Sequence, residues 1–290
     1  MVTTSGVPLA NSACHTRPFP GEFPPELVDA VIDQLHGDAD SLRACALTSP
    51  SWLSTGRYHL FSNVCFNNGV SIIRWVQTFP APSNIPAYVE NLHIGCVSLL
   101  DDPPNAALDF STFTRLKGLF IGGKEVGSAW YRRPDWTCLR RIVLLPPTTL
   151  QTFSFSSPII PACDIFSVIR HFPRLDNLHL RCFAALSSAD SEVTKTDISP
   201  SFHGTLTLAS HISYGPLVTN LLGFPGGLHF SSLDFTILRD DELPNLRALV
   251  DVSSYTITSL HFTIDPCKQH LPRDMSLRTH HLSFPATWRF

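Results

Sequence analysis

Apolar positions fall into two textures along the chain: helical spacing from Leu27 to Phe61, and a recurring three-point motif from Val89 to Phe262. In the first stretch Pro24 and Pro25 can open a helix, because the amide hydrogens they lack would have no partner there. Glu26 suits the positive end of that helix, Leu27, Val28, Val31, Ile32 and Leu35 form its apolar stripe, and Gly37 ends it. Asp40 or Ser41 can cap a second, short helix that presents Leu42, Cys45 and Ala46. Ser49-Pro50 can start a third, carrying Trp52, Leu53, Tyr58, Leu60 and Phe61. Three helices in about 40 residues hide only a little over half of their surface, so part of this apolar area calls for a further cover.

Gly69 to Phe79 reads as a connecting helix stopped by Pro80 and Pro82. Beyond it, an apolar residue, another three on and a third two further recur at Val89/Leu92/Ile94, Leu116/Leu119/Ile121, Leu139/Ile142/Leu144, Leu150/Phe153/Phe155, Leu175/Leu178/Leu180, Phe230/Leu233/Phe235 and Ile257/Leu260/Phe262. Leu206 with Leu208 is a partial copy. First positions are 27, 23, 11, 25, 55 and 27 residues apart, and the partial copy divides the longest step nearly in half. Apart from the step of 11, this is close to the roughly 20 to 29 residue period of leucine-rich repeats, so the spacing predicts a solenoid with a parallel sheet. A plain open α/β sheet is the alternative. Asp265 to Phe290 carries no repeat pattern.

The residues of the first stretch also bear a family likeness. Phe23-Pro24-Pro25-Glu26-Leu27, Ile32 and Leu35, the run Leu42 to Leu47, Trp52 and Arg57-Tyr58-His59-Leu60-Phe61 resemble an F-box of the variant abundant in fungi, over residues 21–66. Phe23 stands where the motif usually has Leu, and Ser49-Pro50 replaces the usual Cys-Arg/Lys before the tryptophan. The later triads are similar to leucine-rich repeat strands, and Phe113-x-x-Leu116-x-x-Leu119 and Phe172-x-x-Leu175-x-x-Leu178 have the lead-in that such arrays in fungal F-box proteins often show. The resemblance implies a docking surface for the Skp-type adaptor of a cullin ubiquitin ligase, with Pro25, Leu27, Ile32, Leu35, Leu42, Cys45 and Trp52 as contact or supporting positions.

The expected fold is α+β overall: a three-helix F-box-like module followed by an irregular leucine-rich-repeat-like α/β solenoid. Its expected divisions are a flexible leader (1–20), the helical module (21–66), a connecting helix and linker (67–85), the array (86–264) and an irregular C-terminal segment (265–290).

Composition narrows the function. The chain of 290 residues is 43% apolar and 16% charged with a net charge of -3, which gives no electrostatic hold on nucleic acid or anionic lipid. The first 25 residues lack the basic and apolar segments of a signal peptide, and no stretch approaches a membrane span. Eight cysteines are dispersed without a C-x-x-C pair, and no Asn-x-Ser/Thr sequon occurs. An intracellular protein, cytoplasmic or nuclear, with reduced thiols is expected.

Candidate chemistry is sparse. Gly118, Gly123 and Lys124 have the spacing of a phosphate-binding loop, but Glu125 stands where Ser or Thr must hold magnesium. His171, His179 and Cys163 or Cys182 are the tightest cluster of metal-ligand types, without the spacing of a tetrahedral site. His93, His179 and His261 sit beside strand leucines, where an outward histidine is ordinary. Asp101-Asp102 and Asp240-Asp241-Glu242 adjoin prolines and read as loop residues, and no Gly-x-Ser-x-Gly elbow exists. The expectation is therefore a non-catalytic adaptor with no cofactor and no metal. It would bind a Skp-type adaptor and cullin scaffold through its helices and a protein substrate on its strands. The alternatives are a non-ligase interaction protein whose helices act as an intramolecular brace, and a hydrolase on an α/β sheet, which lacks an identifiable nucleophile.

Overall fold

The computed structural model describes residues 24–80, 82–95, 108–122, 142–146, 149–186, 202–210, 215–224, 226–237, 242–264 and 279–283. The expected leader lies outside them. The chain divides into two compact units at His59 and Leu60.

The first unit holds α1 (Pro25–Gln34), α2 (Ala39–Thr48) and most of α3 (Pro50–Phe61). Proline at the first helical position opens α1, and Val28 and Ile32 are its buried residues. The cap of α2 is Asp38, ahead of the expected Asp40 or Ser41. Its carboxylate accepts the amides of Asp40 and Ser41, each at 3.1 Å, and the Ser41 hydroxyl at 2.6 Å. Gly56 of α3 is buried, and a Cβ there would sit 3.3 Å from that of Ala46, so the glycine lets α2 and α3 approach closely. Thr55 donates to Asp29 at 2.6 Å, and His59 lies 2.7 Å from Asp33, joining α3 to α1.

The hydrogen bonds from the Ser41 hydroxyl and amide hold the Asp38 carboxyl below its ordinary value. A depressed carboxylate contributes stability at higher pH and loses it as the pH falls through its lowered value. Asp38→Ala is expected to lower the urea midpoint at neutral pH and to have a smaller effect in acid, where the wild-type cap is already protonated.

The second unit is one nine-stranded sheet whose strands follow the order of the chain. They are β1 (Asn63–Phe66), β2 (Asn91–Ile94), β3 (Gly118–Ile121), β4 (Thr152–Pro161), β5 (Asn177–Leu186), β6 (Thr205–Ser210), β7 (Ser232–Ile237), β8 (Ser259–Ile264) and β9 (Thr279–Ser283). The first eight run parallel and β9 pairs antiparallel with β8. Helices α4 (Gly69–Thr78), α5 (Ala162–His171), α6 (Gly215–Leu222) and α7 (Leu243–Ser253) lie between strands in the chain.

Alternate residues of β1 to β8 enter one core. Leu92, Leu119, Phe153, Leu178, Leu206 and Leu233 are in register and fully buried, as are Ile94, Ile121, Phe155, Leu180, Leu208 and Phe235 two residues on. Burying each such side chain contributes about 1.5 to 3 kcal/mol. Ile165, Phe166, Val168 and Ile169 of α5 and Leu217, Val218 and Leu221 of α6 join this core. The intervening strand residues are not in it, so among the described residues the helices pack on one sheet face, and the other carries mostly polar side chains with Phe120 among them.

A single backbone device sets the register. The carbonyl of Ser62 accepts the amides of both Glu90 and Asn91, and that of Glu90 accepts those of Lys117 and Gly118. Lys117, Gln151, Gly204 and Ser231 repeat the arrangement for the strands that follow them. Gly204 is required at its position because a Cβ would collide with the Asp176 carbonyl.

These observations correct the expected α+β class, a helical module followed by an irregular leucine-rich-repeat-like solenoid. Eight parallel strands and one antiparallel strand form one continuous sheet, with α-helices between several of them, an α/β arrangement. The sheet begins at β1, inside the range assigned to the helical module, because Val64 and Phe66 alternate into the core. The segment expected as a linker belongs to the same unit. Ile72 of α4 is fully buried, and Trp75 packs against Phe61, Phe66, Phe79 and Phe113. The triad Leu139/Ile142/Leu144 gives no strand within its described residues: Ile142 is buried but Leu144 is 58% exposed, in a turn. Its removal merges the steps of 23 and 11 into one longer connection between β3 and β4. The C-terminal segment, expected to be irregular, contributes β9.

Candidate functional site

In the first unit the side chains expected to dock an adaptor separate by burial. Ile32 and Leu42 are 0% and 1% exposed, so they support the helices and offer nothing to a partner. Leu35, Cys45 and Trp52 are half-buried, and Pro25 is exposed. Leu27 is 53% exposed and Val31 51% exposed, four residues apart on α1 and thus neighbours on its surface. Leu47, at the end of α2, is 88% exposed. Neither Val31 nor Leu47 is among the seven docking positions implied by the resemblance, although Val31 was visible in the apolar stripe. Phe23 lies outside the described residues.

In the second unit the uncovered face of the sheet is the candidate surface. One side chain per strand forms a row across it: Cys65, His93, Phe120, Ser154, His179, Thr207, Asp234 and His261, paired in that register. His93 and Phe120 stack with centroids 4.3 Å apart and planes 6° from parallel. His261 Nδ1 lies 3.0 Å from Asp234 Oδ1. Burial pushes the His93 imidazole below its ordinary value. Burial likewise lowers His179, against the opposing charge of Asp234. For both rings burial thus favours the neutral imidazole over the charged form.

A second row, at the foot of the strands, is tied by side chains. Asn91 donates to Asn63 at 2.9 Å, Asn177 to Thr152 at 3.3 Å, and Lys117 pairs with Glu90 at 2.8 Å. Gly118 interrupts it, because a Cβ there would strike the side-chain amide oxygen of Asn91 and the Phe120 ring.

The motifs weighed for chemistry do not converge. Gly118 lies within β3 and Gly122 just after it with φ +121°, while Gly123, Lys124 and Glu125 lie outside the described residues. His171 Nε2 is 3.3 Å from the Leu145 carbonyl oxygen, and its ring meets Phe172 edge-on. The Cys163 and Cys182 side chains lie outside the described residues, as do Asp101, Asp102, Asp240 and Asp241. Glu242 is buried and accepts from Asn245 at 2.9 Å. Among the described residues no three His, Cys, Asp or Glu side chains are placed to hold a metal ion. Nor is any helix of the described residues long and apolar enough to cross a membrane.

Most of the outward row was within reach of sequence reasoning, since His93, Phe120, Ser154, His179, Asp234 and His261 each lie between the last two apolar positions of a triad and Thr207 between the two of the partial copy, whereas Cys65 belongs to no triad. Their chemistry differs from strand to strand, however, and no periodicity marks them. Compared with the models of known protein families and with curated proteins, the chain matches none.

Proposed function

We propose that this chain is a non-catalytic recognition subunit of a cullin ubiquitin ligase. Its N-terminal helices dock on a Skp-type adaptor, and the polar face of its sheet holds a protein substrate. The observation that carries the reading is the exposure of Leu27 and Val31 side by side on α1, within a stretch whose residues resemble an F-box. Solvent-exposed aliphatic side chains clustered on a small helical unit fit an interface anchor. The function needs no reaction on this chain. Holding a substrate beside a ubiquitin-loaded enzyme replaces a bimolecular encounter by a local one, at an effective concentration set by the assembly.

Co-purification of the full chain with a Skp-type adaptor tests this. Binding is expected, and Leu27→Asp is expected to weaken it at least tenfold, since an aliphatic anchor contributes about 1.5 to 3 kcal/mol when taken from water. The variant should keep its thermal midpoint because the side chain it replaces already faces solvent. Undiminished binding by Leu27→Asp removes α1 from the interface. Absence of binding by both proteins favours the brace reading, in which the helices serve only this chain. The burial of Ile32 and Leu42 is the observation on that side.

A further inference from the structure

Ser49 and Pro50 join α2 to α3 and stand where the F-box motif usually has Cys-Arg/Lys. Proline disfavours helical backbone in the residue before it, and Ser49 is accordingly extended, at φ -149° and ψ 140°. It is half-buried, while Leu47, Thr48, Pro50 and Ser51 around it are exposed. Its Oγ lies 2.8 Å from the Ser51 hydroxyl and accepts the Ser51 amide at 3.3 Å. Of the two other Ser-Pro dipeptides, Ser157-Pro158 is inside β4, where Ser157 pairs with Cys182 of β5, and Ser199-Pro200 lies outside the described residues. The bonds between α1 and α3 fix where Ser49 sits. Thr55 meets Asp29 and His59 meets Asp33, so the two helices run in the same direction. One turn back, Ser51 is level with Pro25. Ser49 is therefore at the end of the unit that carries the exposed Leu27, about one helical turn from it along the axis, and two residues from Leu47, which is 88% exposed.

We propose that Ser49 is a phosphorylation site for a proline-directed protein kinase and that the phosphate closes the docking end of the helical unit. The Ser49 Oγ attacks the γ-phosphorus of a nucleoside triphosphate: the Oγ–P bond forms, the bond to the departing nucleoside diphosphate breaks, and the hydroxyl proton passes to the kinase's base. A kinase that leaves the amide of the following residue without an acceptor selects proline, which has no amide hydrogen. Access asks for the last turn of α2 and the first of α3 to fray, and helix ends open at little cost. The product carries about two negative charges. Its oxygens can accept the Ser51 amide as the hydroxyl does now, so the helices persist. A partner seated on Leu27 and Leu47, however, must take a dianion out of water. The acceptor chemistry stands on Ser49 itself, and its effect on docking rests on the proposed function.

The test incubates the full chain with a purified cyclin-dependent kinase and magnesium ATP, maps the phosphate by mass spectrometry and then measures affinity for a Skp-type adaptor. Ser49 is expected to be modified, and Pro50→Ala to slow that reaction at least tenfold. The modified chain should bind the adaptor at least tenfold more weakly than the unmodified chain, with an unchanged circular dichroism spectrum. Ser49→Ala put through the same reaction should bind as the unmodified chain does, which separates Ser49 from Ser199. Phosphate at Ser199 but not at Ser49, no incorporation at all, or equal rates for wild type and Pro50→Ala would each overturn the inference. So would a modified chain that binds as tightly as before, or one that loses helical signal. If the unmodified chain does not bind the adaptor, the docking reading and the regulatory half of this inference fall together, while the map still decides whether Ser49 is the acceptor.

Discussion

Phe155→Ala is expected to lower the unfolding free energy by about 3 to 5 kcal/mol, the largest effect of any single truncation in the sheet. Phe155 is fully buried on β4, in register with Ile121 on β3 and Leu180 on β5, which are also buried. Removing its ring costs the transfer energy of the lost atoms and leaves a hole that these strands cannot close without breaking register. Urea unfolding of wild type and variant measures the difference. Phe120→Ala is the control, since that ring lies on the uncovered face and its loss should cost far less. A Phe155→Ala penalty below about 1 kcal/mol would mean that the core is not packed as described.

Ile32→Asp is expected to cost about 4 kcal/mol or more, because it buries a carboxylate with no partner at a position closed to water. The damage should concentrate in residues 24–59, which form a compact unit of their own. Hydrogen exchange resolves this: amides of α1 and α2 should lose protection while those of β4 to β7 keep theirs. Leu27→Asp, five residues earlier on the same helix but exposed, should stay within about 0.5 kcal/mol of wild type. The contrast separates the structural from the surface members of the apolar stripe. Loss of protection throughout the sheet would show that the two units unfold together.

The sequence reads well where burial and periodicity coincide. Pairs such as Leu92/Ile94, Leu178/Leu180 and Leu233/Phe235 mark strands because both members enter the core and the residue between them does not. Leu139/Ile142/Leu144 has the same letters without the same environment, and only the exposure of Leu144 tells it apart. Strand β1 was hidden because Val64 and Phe66 fall inside the range assigned to the helical module, and two alternating apolar residues are too short a pattern to mark a strand. Strand β9 offered almost nothing: Thr279–Ser283 holds one leucine, and its place is fixed by pairing with β8. The helical stripe of α1 was legible as a stripe, but not which half of it faces inward. Ile32 and Leu27 look alike until three-dimensional packing distinguishes them.

The doubly accepting carbonyl at the foot of successive strands has a bearing on how such a chain can change over generations. Because β2 to β8 are each positioned by a neighbour's peptide oxygen, the distance travelled along the backbone between strands is not what aligns them. The connection from β3 to β4 is longer than that from β4 to β5, yet both strands meet their predecessors in the same alignment. Insertions and deletions outside these anchor points should therefore be absorbed with the pairing preserved, so that length variation becomes a route to new loops without loss of the scaffold.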